Sequence, residues 1–329
     1  MDDKAPALVV DHLHKNFRGV QAVSGLSFSA RRGTVLGLLG SNGAGKTTTV
    51  RILSTLLRFD RGTVTVLGKD VVREARAVRA QIGLTGQYAA LDQYLTAYEN
   101  LVMIGRLSRL DAADARRRAK ELIEVFDLTD AAKRLVKTFS GGMRRRLDLA
   151  ASLIVNPALL ILDEPTTGLD PHSRQTVWRL IRGLVSGGTS VLLTTQYLEE
   201  AEELADDIVV IDHGTVIAQG PPQTLKREIG GSRIEVYLVD GEQAATAAHL
   251  LDRFGTSGAH LDADSGIVTV PAFKEPGLQA KVIRSLDAHD IDVADVRLRE
   301  PTLDEVFLTL TGKKAAEPSH TSLDQGAHP

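Results

Sequence analysis

One short segment constrains this chain more than any other, because it matches the pattern G-x-x-x-x-G-K-[ST]. Its residues are Gly40, Ser41, Asn42, Gly43, Ala44, Gly45, Lys46 and Thr47, followed by Thr48. An apolar run predicts a strand before the segment, and a helix is predicted after it. Glycines let a backbone wrap around phosphate, and a helix N-terminus adds partial positive charge. Lys46 is placed to reach the β- and γ-phosphates and Thr47 to ligate Mg²⁺. The segment, from Gly40 to Thr48, therefore predicts binding of a nucleoside triphosphate with magnesium.

Composition and charge exclude several classes of protein. The chain has 329 residues, which predicts a large domain plus a smaller one. Its net charge of −3 provides no field to recruit nucleic acid or anionic lipid. The absence of cysteine excludes disulfides and thiolate chemistry and suits a reducing cytoplasm. The polar N-terminus does not resemble a secretory signal, and no run approaches the ~20 apolar residues of a membrane helix.

Short apolar runs alternate with helical stretches through the first two thirds of the chain, which predicts an α/β domain with a mostly parallel sheet. The predicted strands are 7–11, 34–39, 62–67, 158–163, 190–194 and 207–211, and the predicted helices are 46–57, 110–126, 141–154 and 173–185. Turn residues in 214–222 are interpreted as the close of this domain. We expect a nucleotide-binding domain over 1–228 with a helical subdomain at about 88–150, a C-terminal α/β domain over 229–312, and a disordered tail over 313–329.

Two adjacent carboxylates end one of these predicted strands. Asp163 and Glu164 follow four apolar residues, at the edge of the sheet where α/β proteins bind their ligands. Asp163 is predicted to hold Mg²⁺ through water. Glu164 is predicted to polarise the attacking water as a general base. Taken alone, such a pair equally fits a solvated acidic turn, and it is the phosphate-binding segment upstream that favours catalysis.

A third motif discriminates among phosphate-binding proteins. The segment Phe139-Ser140-Gly141-Gly142-Met143 lies just before Asp163, and it places a hydroxyl and two glycines at the start of a helix, which is a second anion site. Here the chain resembles the ATP-binding subunits of ATP-binding cassette (ABC) transporters, whose signature is commonly L-S-G-G-Q. The resemblance covers about residues 6–225. It implies a P-loop NTPase core with a parallel sheet, an antiparallel β edge and a helical subdomain, plus the small C-terminal α/β domain.

The same resemblance assigns further residues. Phe17 stands where an aromatic ring typically stacks on adenine, and Gln87 matches a glutamine that ligates the metal and contacts the membrane subunit. Gly168-Leu169-Asp170 matches a segment that contacts the second subunit. Gln196 stands where the family usually has a histidine that touches the γ-phosphate. Because an amide can donate a hydrogen bond but cannot carry charge, we expect ATP binding to be retained and hydrolysis to be slower or differently tuned.

The resemblance also implies how such a subunit works. Two copies pair head to tail, so that each ATP lies between the phosphate loop of one copy and the Ser140 segment of the other. Closing and opening of this homodimer drives an integral membrane permease, which places the chain on the cytoplasmic side of the cell membrane as a peripheral subunit. The glutamine variant near residue 196, the F-S-G-G-M signature and the C-terminal segment resemble the daunorubicin-resistance exporters. This implies efflux of a drug, antibiotic or amphipathic lipid.

Three other functions fit parts of the pattern. A soluble ABC ATPase acting on ribosomes or DNA would carry tandem cassettes or a long coiled coil, and we expect no nucleic-acid partner. A GTPase or small-molecule kinase would read its base with an N-K-x-D motif, which this sequence lacks. A binding module would use nucleotide only as a switch, and Gln196 keeps that alternative open.

The arginine runs at 116–118 and 144–146 are interpreted as solvated helix faces. An apolar stripe, Leu303, Val306, Phe307 and Leu310, fits either packing within the domain or a dimer contact.

Overall fold

The computed structural model describes residues 5–86, 91–228, 231–255, 258–262, 267–272 and 275–311. The chain divides into two compact units, Met1–Thr224 and Leu225–Pro329. The strands of the first unit are β1 (Leu8–Phe17), β2 (Val20–Ala30), β3 (Val35–Gly40), β4 (Arg61–Val66), β5 (Lys69–Asp70), β6 (Ile82–Thr85), β7 (Leu159–Asp163), β8 (Ser190–Thr195), β9 (Asp207–Asp212) and β10 (Thr215–Gly220). Its helices are α1 (Lys46–Leu53), α2 (Ala75–Arg79), α3 (Ala97–Leu107), α4 (Ala112–Val125), α5 (Gly141–Ser152), α6 (Pro171–Ser186), α7 (Leu198–Leu204) and α8 (Pro222–Glu228), which contains the point of division.

A six-stranded sheet forms the centre of the first unit, in the order β10-β9-β3-β8-β7-β6. All its pairs are parallel except β9 with β10. Every residue of β3, β7 and β8 is buried. Alternate residues of β7 belong to different apolar cores, Leu160 to one and Ile161 to the other. Both faces of the sheet are therefore covered, which explains why these strands are apolar throughout.

A second, antiparallel sheet in the order β2-β1-β4-β5 covers one face of the parallel sheet. Helices α3 to α6 supply most of the core on the other face. Local signals start these helices. Thr96 and Glu99 form a reciprocal capping box at α3. The Asp111 and Asp170 side chains each accept from the N–H of the third residue of α4 and α6.

The second unit has a four-stranded antiparallel sheet in the order β12-β13-β11-β14. Its strands are β11 (Arg233–Leu238), β12 (His260–Asp262), β13 (Ile267–Pro271) and β14 (Val293–Arg299), and its helices are α9 (Ala244–Leu251), α10 (Leu278–Asp287) and α11 (Leu303–Leu310). Val236 and Val268 of the sheet, Leu251 of α9 and Val282 of α10 share one core. In α11, Leu303 and Val306 are buried and Leu310 is exposed, so only part of the predicted apolar stripe is covered.

The structure corrects several predicted elements. Segment 214–222, interpreted as a closing loop, instead contains β10, which pairs with β9. The strand predicted over 7–11 continues to Phe17, and β2, β5, β6 and β12 were not predicted. Helices α2, α3, α7 and α8 were also missed, and the predicted helix 46–57 ends at Leu53. The mostly parallel core was predicted correctly.

Candidate functional site

The segment between β3 and α1 adopts a backbone that requires glycine. Gly43 and Gly45 have φ angles of 86° and 108°, in the left-handed region that other residues rarely adopt. A Cβ atom at Gly45 would also lie 2.6 Å from the carbonyl oxygen of Ala22. At Gly40 a Cβ atom would lie 2.4 Å from the carbonyl oxygen of Ile211. The glycines of the motif thus serve close packing as well as conformation.

Lys46 is the first residue of α1, and its side chain folds back over the loop. Its Nζ donates to the carbonyl oxygens of Gly40 at 2.7 Å and Ser41 at 3.1 Å, and the residue is only 5% exposed. Burial lowers the pKa of Lys46, while the carboxylates of Glu164 and Asp163 act in the opposite direction. The ammonium group is therefore held at the centre of the loop, beside two acids.

A cavity of about 280 Å³ opens over this loop. It is lined by Ala22, Asn42, Gly43, Gly45, Lys46, Thr47, Thr48 and Glu164. Glu164 is the one lining residue that comes from a distant part of the sequence. The fold thus brings a carboxylate to the same space as the lysine and threonine of the predicted phosphate loop. This arrangement suits a triphosphate that is cleaved at its terminal phosphate.

Asp163 and Glu164 are held in place by the neighbouring strand. Asp163 is the last residue of β7, faces Thr194 across the β7–β8 pair, and accepts a hydrogen bond from the Thr194 hydroxyl. Glu164 has a φ of 52°, and its N–H donates to the carbonyl oxygen of Thr194 at 3.0 Å. A Glu164 carboxylate oxygen accepts from the Thr167 hydroxyl at 3.3 Å. Thr194 was not predicted as a site residue, although a threonine ending an apolar strand was a visible signal.

Oxygen ligands for a divalent cation are present at this edge of the sheet. Thr47 lines the cavity and carries a hydroxyl, and Asp163 is a buried carboxylate that ends β7. In the described part of the chain, no group of three or more histidine, cysteine or acidic residues could hold a metal by itself. Mg²⁺ is usually held by one or two protein oxygens together with substrate phosphates and water. The donor set therefore fits Mg²⁺ bound with a nucleotide.

Ser140 lies elsewhere, at the start of α5. Its Oγ accepts a hydrogen bond from the N–H of Met143 at 3.2 Å and caps the helix. A Cβ atom at Gly142 would lie 2.6 Å from the Ser173 hydroxyl, so α6 leaves no room for a side chain there. Ser140 and Gly142 line a separate cavity of about 450 Å³. Neither Ser140 nor Gly142 lines the cavity over the phosphate loop of the same chain.

The other predicted residues have different outcomes. Gln196 follows β8 directly and is exposed, at the same sheet edge as Asp163. Phe17 ends β1, is 43% exposed, and has the Lys15 ammonium 5.3 Å from its ring centre. Gln87 lies outside the described residues.

Arg145 was misinterpreted as part of a solvated helix face. Its side chain is only 12% exposed, and it donates to the main-chain carbonyl oxygens of Asp163 and Glu164. A signal was available, because Asp148 lies one helical turn further on and pairs with it. The neighbouring run at 116–118 fits the interpretation better, since Arg117 is 63% exposed and pairs with Asp114 and Glu121.

Comparison with known proteins agrees with this geometry. Residues 23–167 match the family model described as ABC transporter. The chain is 54% identical over 306 residues to the daunorubicin resistance ATP-binding protein DrrA3 of Streptomyces coeruleorubidus, covering 93% of this chain and 96% of that protein. It is 49% identical to the daunorubicin/doxorubicin resistance ATP-binding protein DrrA of Streptomyces peucetius, covering 95% and 94%. The solved ATP-binding subunit of an ABC transporter aligns with a TM-score of 0.62 at 28% identity, covering 68% of this chain and 93% of that one.

Proposed function

The chain belongs to the ATP-binding subunits of the ABC transporter family, and we propose that it powers export of a drug, antibiotic or amphipathic lipid through a separate membrane permease. The observation that carries this proposal is the cavity over the phosphate loop, which joins Lys46 and Thr47 to Glu164. Such a cavity holds the terminal phosphates of ATP beside a base. The similarity to proteins named for daunorubicin and doxorubicin resistance supports a drug or antibiotic as the cargo.

Hydrolysis follows from the positions of these side chains. Lys46 leaves its loop carbonyls to bind the β- and γ-phosphates. Thr47 and Asp163 would hold Mg²⁺, and Gln87 would be a further ligand. When bound, Mg²⁺ neutralises charge on the transferred phosphoryl group. Glu164 orients a water molecule in line with the γ-phosphate and accepts its proton. Positioning and electrostatics thus supply most of the rate enhancement.

A second copy of the chain completes each site. Ser140, Gly141 and Gly142 begin a twelve-residue helix, α5, in which Ser140 already caps one N–H. The remaining N–H groups and the helix dipole form an anion site that the phosphate loop of the same chain does not use. We place the γ-phosphate of the ATP that is bound to the partner copy there. Phe17 stacks on the adenine from the side of the phosphate loop. ATP then closes the homodimer, and hydrolysis opens it.

The permease is a separate protein. No helix in the described parts of the chain is both long and apolar enough to cross a bilayer. We place the chain on the cytoplasmic face of the membrane, where dimer opening and closing moves the permease. Because cargo binds within the permease, its exact chemistry is a property of that partner.

The export proposal is tested in cells that co-express the chain with its permease. Daunorubicin accumulation is measured for the native chain, Lys46→Ala and Glu164→Gln, with Lys120→Ala, an exposed lysine on α4, as the matched control. We expect the two site variants to accumulate the drug as cells without the exporter do, and Lys120→Ala to match the native chain. Equal accumulation across these variants, for daunorubicin and for a panel of other antibiotics and lipids, would remove the export proposal.

The next prediction concerns the effect of Gln196 on the rate of ATP hydrolysis. Replacing it with histidine restores a side chain that can carry charge beside the γ-phosphate, and a hydrogen bond to a charged group adds about 1.5 kcal/mol. We expect Gln196→His to raise kcat by about tenfold with little change in the Kd for ATP, because 1.4 kcal/mol corresponds to about tenfold in rate. Steady-state ATPase assays with the permease present measure this. Identical turnover of the two proteins would contradict a rate-setting role for this position.

A further inference from the structure

Arg145 makes an unusual set of hydrogen bonds from within α5. Its guanidinium donates to the carbonyl oxygens of Pro165 at 2.5 Å, Gly86 at 3.0 Å, Glu164 at 3.1 Å and Asp163 at 3.4 Å. Three of these acceptors are consecutive residues of the segment that carries the proposed base. The fourth acceptor, Gly86, is the last residue of the described range 5–86. One side chain therefore holds the main chain of two separate segments, one of which carries the acidic pair.

Burying the positively charged guanidinium of Arg145 is energetically unfavourable. Burial lowers the pKa of Arg145, and the nearby carboxylates of Asp148, Glu200 and Asp163 oppose that shift. Asp148, itself 7% exposed, accepts from the guanidinium at 3.3 Å. A buried ion pair is weak evidence of stabilisation, because apolar residues of similar volume are often as stable. The presence of Arg145 at this position therefore indicates a role that an apolar side chain could not fill.

That task concerns the backbone of Glu164. Its φ of 52° lies in the left-handed region, which is unfavourable for a residue with a side chain. The peptide groups on both sides of this residue are fixed. Its N–H donates to Thr194 of β8, and its carbonyl oxygen accepts from Arg145 of α5. Only arginine has a planar fork with enough donors to bind several carbonyl groups at once.

We propose that Arg145 is a positioning residue for hydrolysis, which fixes the main chain at Glu164 and thereby aims its carboxylate at the attacking water. This inference rests on the proposed role of Glu164 as the base. The proposal also connects the Ser140 segment to Glu164 within one chain. Ser140 and Arg145 belong to the same helix, so any movement of the Ser140 segment reaches Glu164 through one side chain. The copy that contacts the partner's ATP through Ser140 thus adjusts its own base at the same time.

The test compares two partly buried arginines in the full complex with the permease. Arg118 of α4 is the matched control, because it also donates to a carbonyl oxygen, that of Leu153, and is 27% exposed, but it lines neither the cavity over the phosphate loop nor the cavity at Ser140. We expect Arg145→Gln to lower kcat by about 30-fold with the KM for ATP within about twofold, since small misplacement of a catalytic group costs up to ~100-fold. Arg145→Lys should fall between Arg145→Gln and the native chain. Arg118→Gln should keep native turnover.

A double variant separates positioning from general damage. If Arg145 acts through Glu164, adding Arg145→Gln to Glu164→Gln should lower kcat no further, because residues that act as a unit are not additive. Tm and the emission of Trp178, the single tryptophan, whose indole N–H donates to Glu200 at 3.0 Å, report whether each variant is folded. Native kcat in Arg145→Gln, an equal loss in Arg118→Gln, or a fully additive double variant would overturn the inference. Native kcat in Glu164→Gln would instead overturn the proposed base.

Discussion

Replacing Glu164 by glutamine should lower kcat for ATP hydrolysis by about 100- to 10,000-fold, the range that general-base catalysis contributes. Glutamine has nearly the same shape but cannot accept the proton of the attacking water. The phosphate loop, including Lys46, is unchanged, so the Kd for ATP should stay within about threefold of the native value. Phosphate release in the assembled transporter measures the rate, and equilibrium binding of ATP measures the affinity.

The control for this prediction is Glu124→Gln. Glu124 is an exposed residue of α4, so the same loss of charge there should leave kcat unchanged. The backbone at Glu164 is held by Thr194 and Arg145 rather than by its own carboxylate, whose one described hydrogen bond is a 3.3 Å contact from the Thr167 hydroxyl. The substitution should therefore remove the chemistry without moving the loop. Turnover near the native rate would show that another group activates the water.

The phosphate loop could be predicted because its chemistry is local. Strand, turn and helix follow one another within a few residues. Gly45, which the pattern requires, and Gly43, which it does not, both adopt left-handed φ angles. Placing Glu164 beside Lys46 needed one further rule. Strands β3, β8 and β7 are parallel neighbours, so their carboxyl ends meet at the same sheet edge. Alternating strands and helices in the sequence predict such a parallel sheet, and the parallel sheet predicts that these strand ends lie together.

Elements stabilised by distant partners could not be predicted in the same way. Strand β2 contains Ser24 and Gly25, which favour a turn, and β10 lies among glycine and proline residues. Both become strands because a neighbour supplies hydrogen bonds, β1 for β2 and β9 for β10. Arg145 illustrates the same limit for side chains, because its acceptors lie about 20 and 59 residues away in sequence. Three consecutive arginines on a helix indicate a solvated face unless those acceptors are known.

The proposed head-to-tail homodimer gives the most discriminating prediction, because it assigns Lys46 and Ser140 of one chain to different ATP molecules. The structure supports this assignment, since Ser140 lines a separate cavity from the one over the phosphate loop. A Lys46→Ala chain and a Ser140→Arg chain should each form dimers in which both sites are damaged. In a mixed dimer, one site combines both substitutions. The other site joins a native phosphate loop to a native Ser140 segment.

Mixing the two inactive chains before assembly with the permease should therefore restore ATPase activity. Random pairing makes about half of the dimers mixed, and each mixed dimer has one intact site of two, so about a quarter of native activity is expected. The matched control mixes Lys46→Ala with Glu164→Gln. These two substitutions affect the same side of a site, so in a mixed dimer each site carries one of them. No recovery is expected in that mixture. If the Ser140 segment instead served the nucleotide of its own chain, Lys46→Ala with Ser140→Arg would likewise stay inactive.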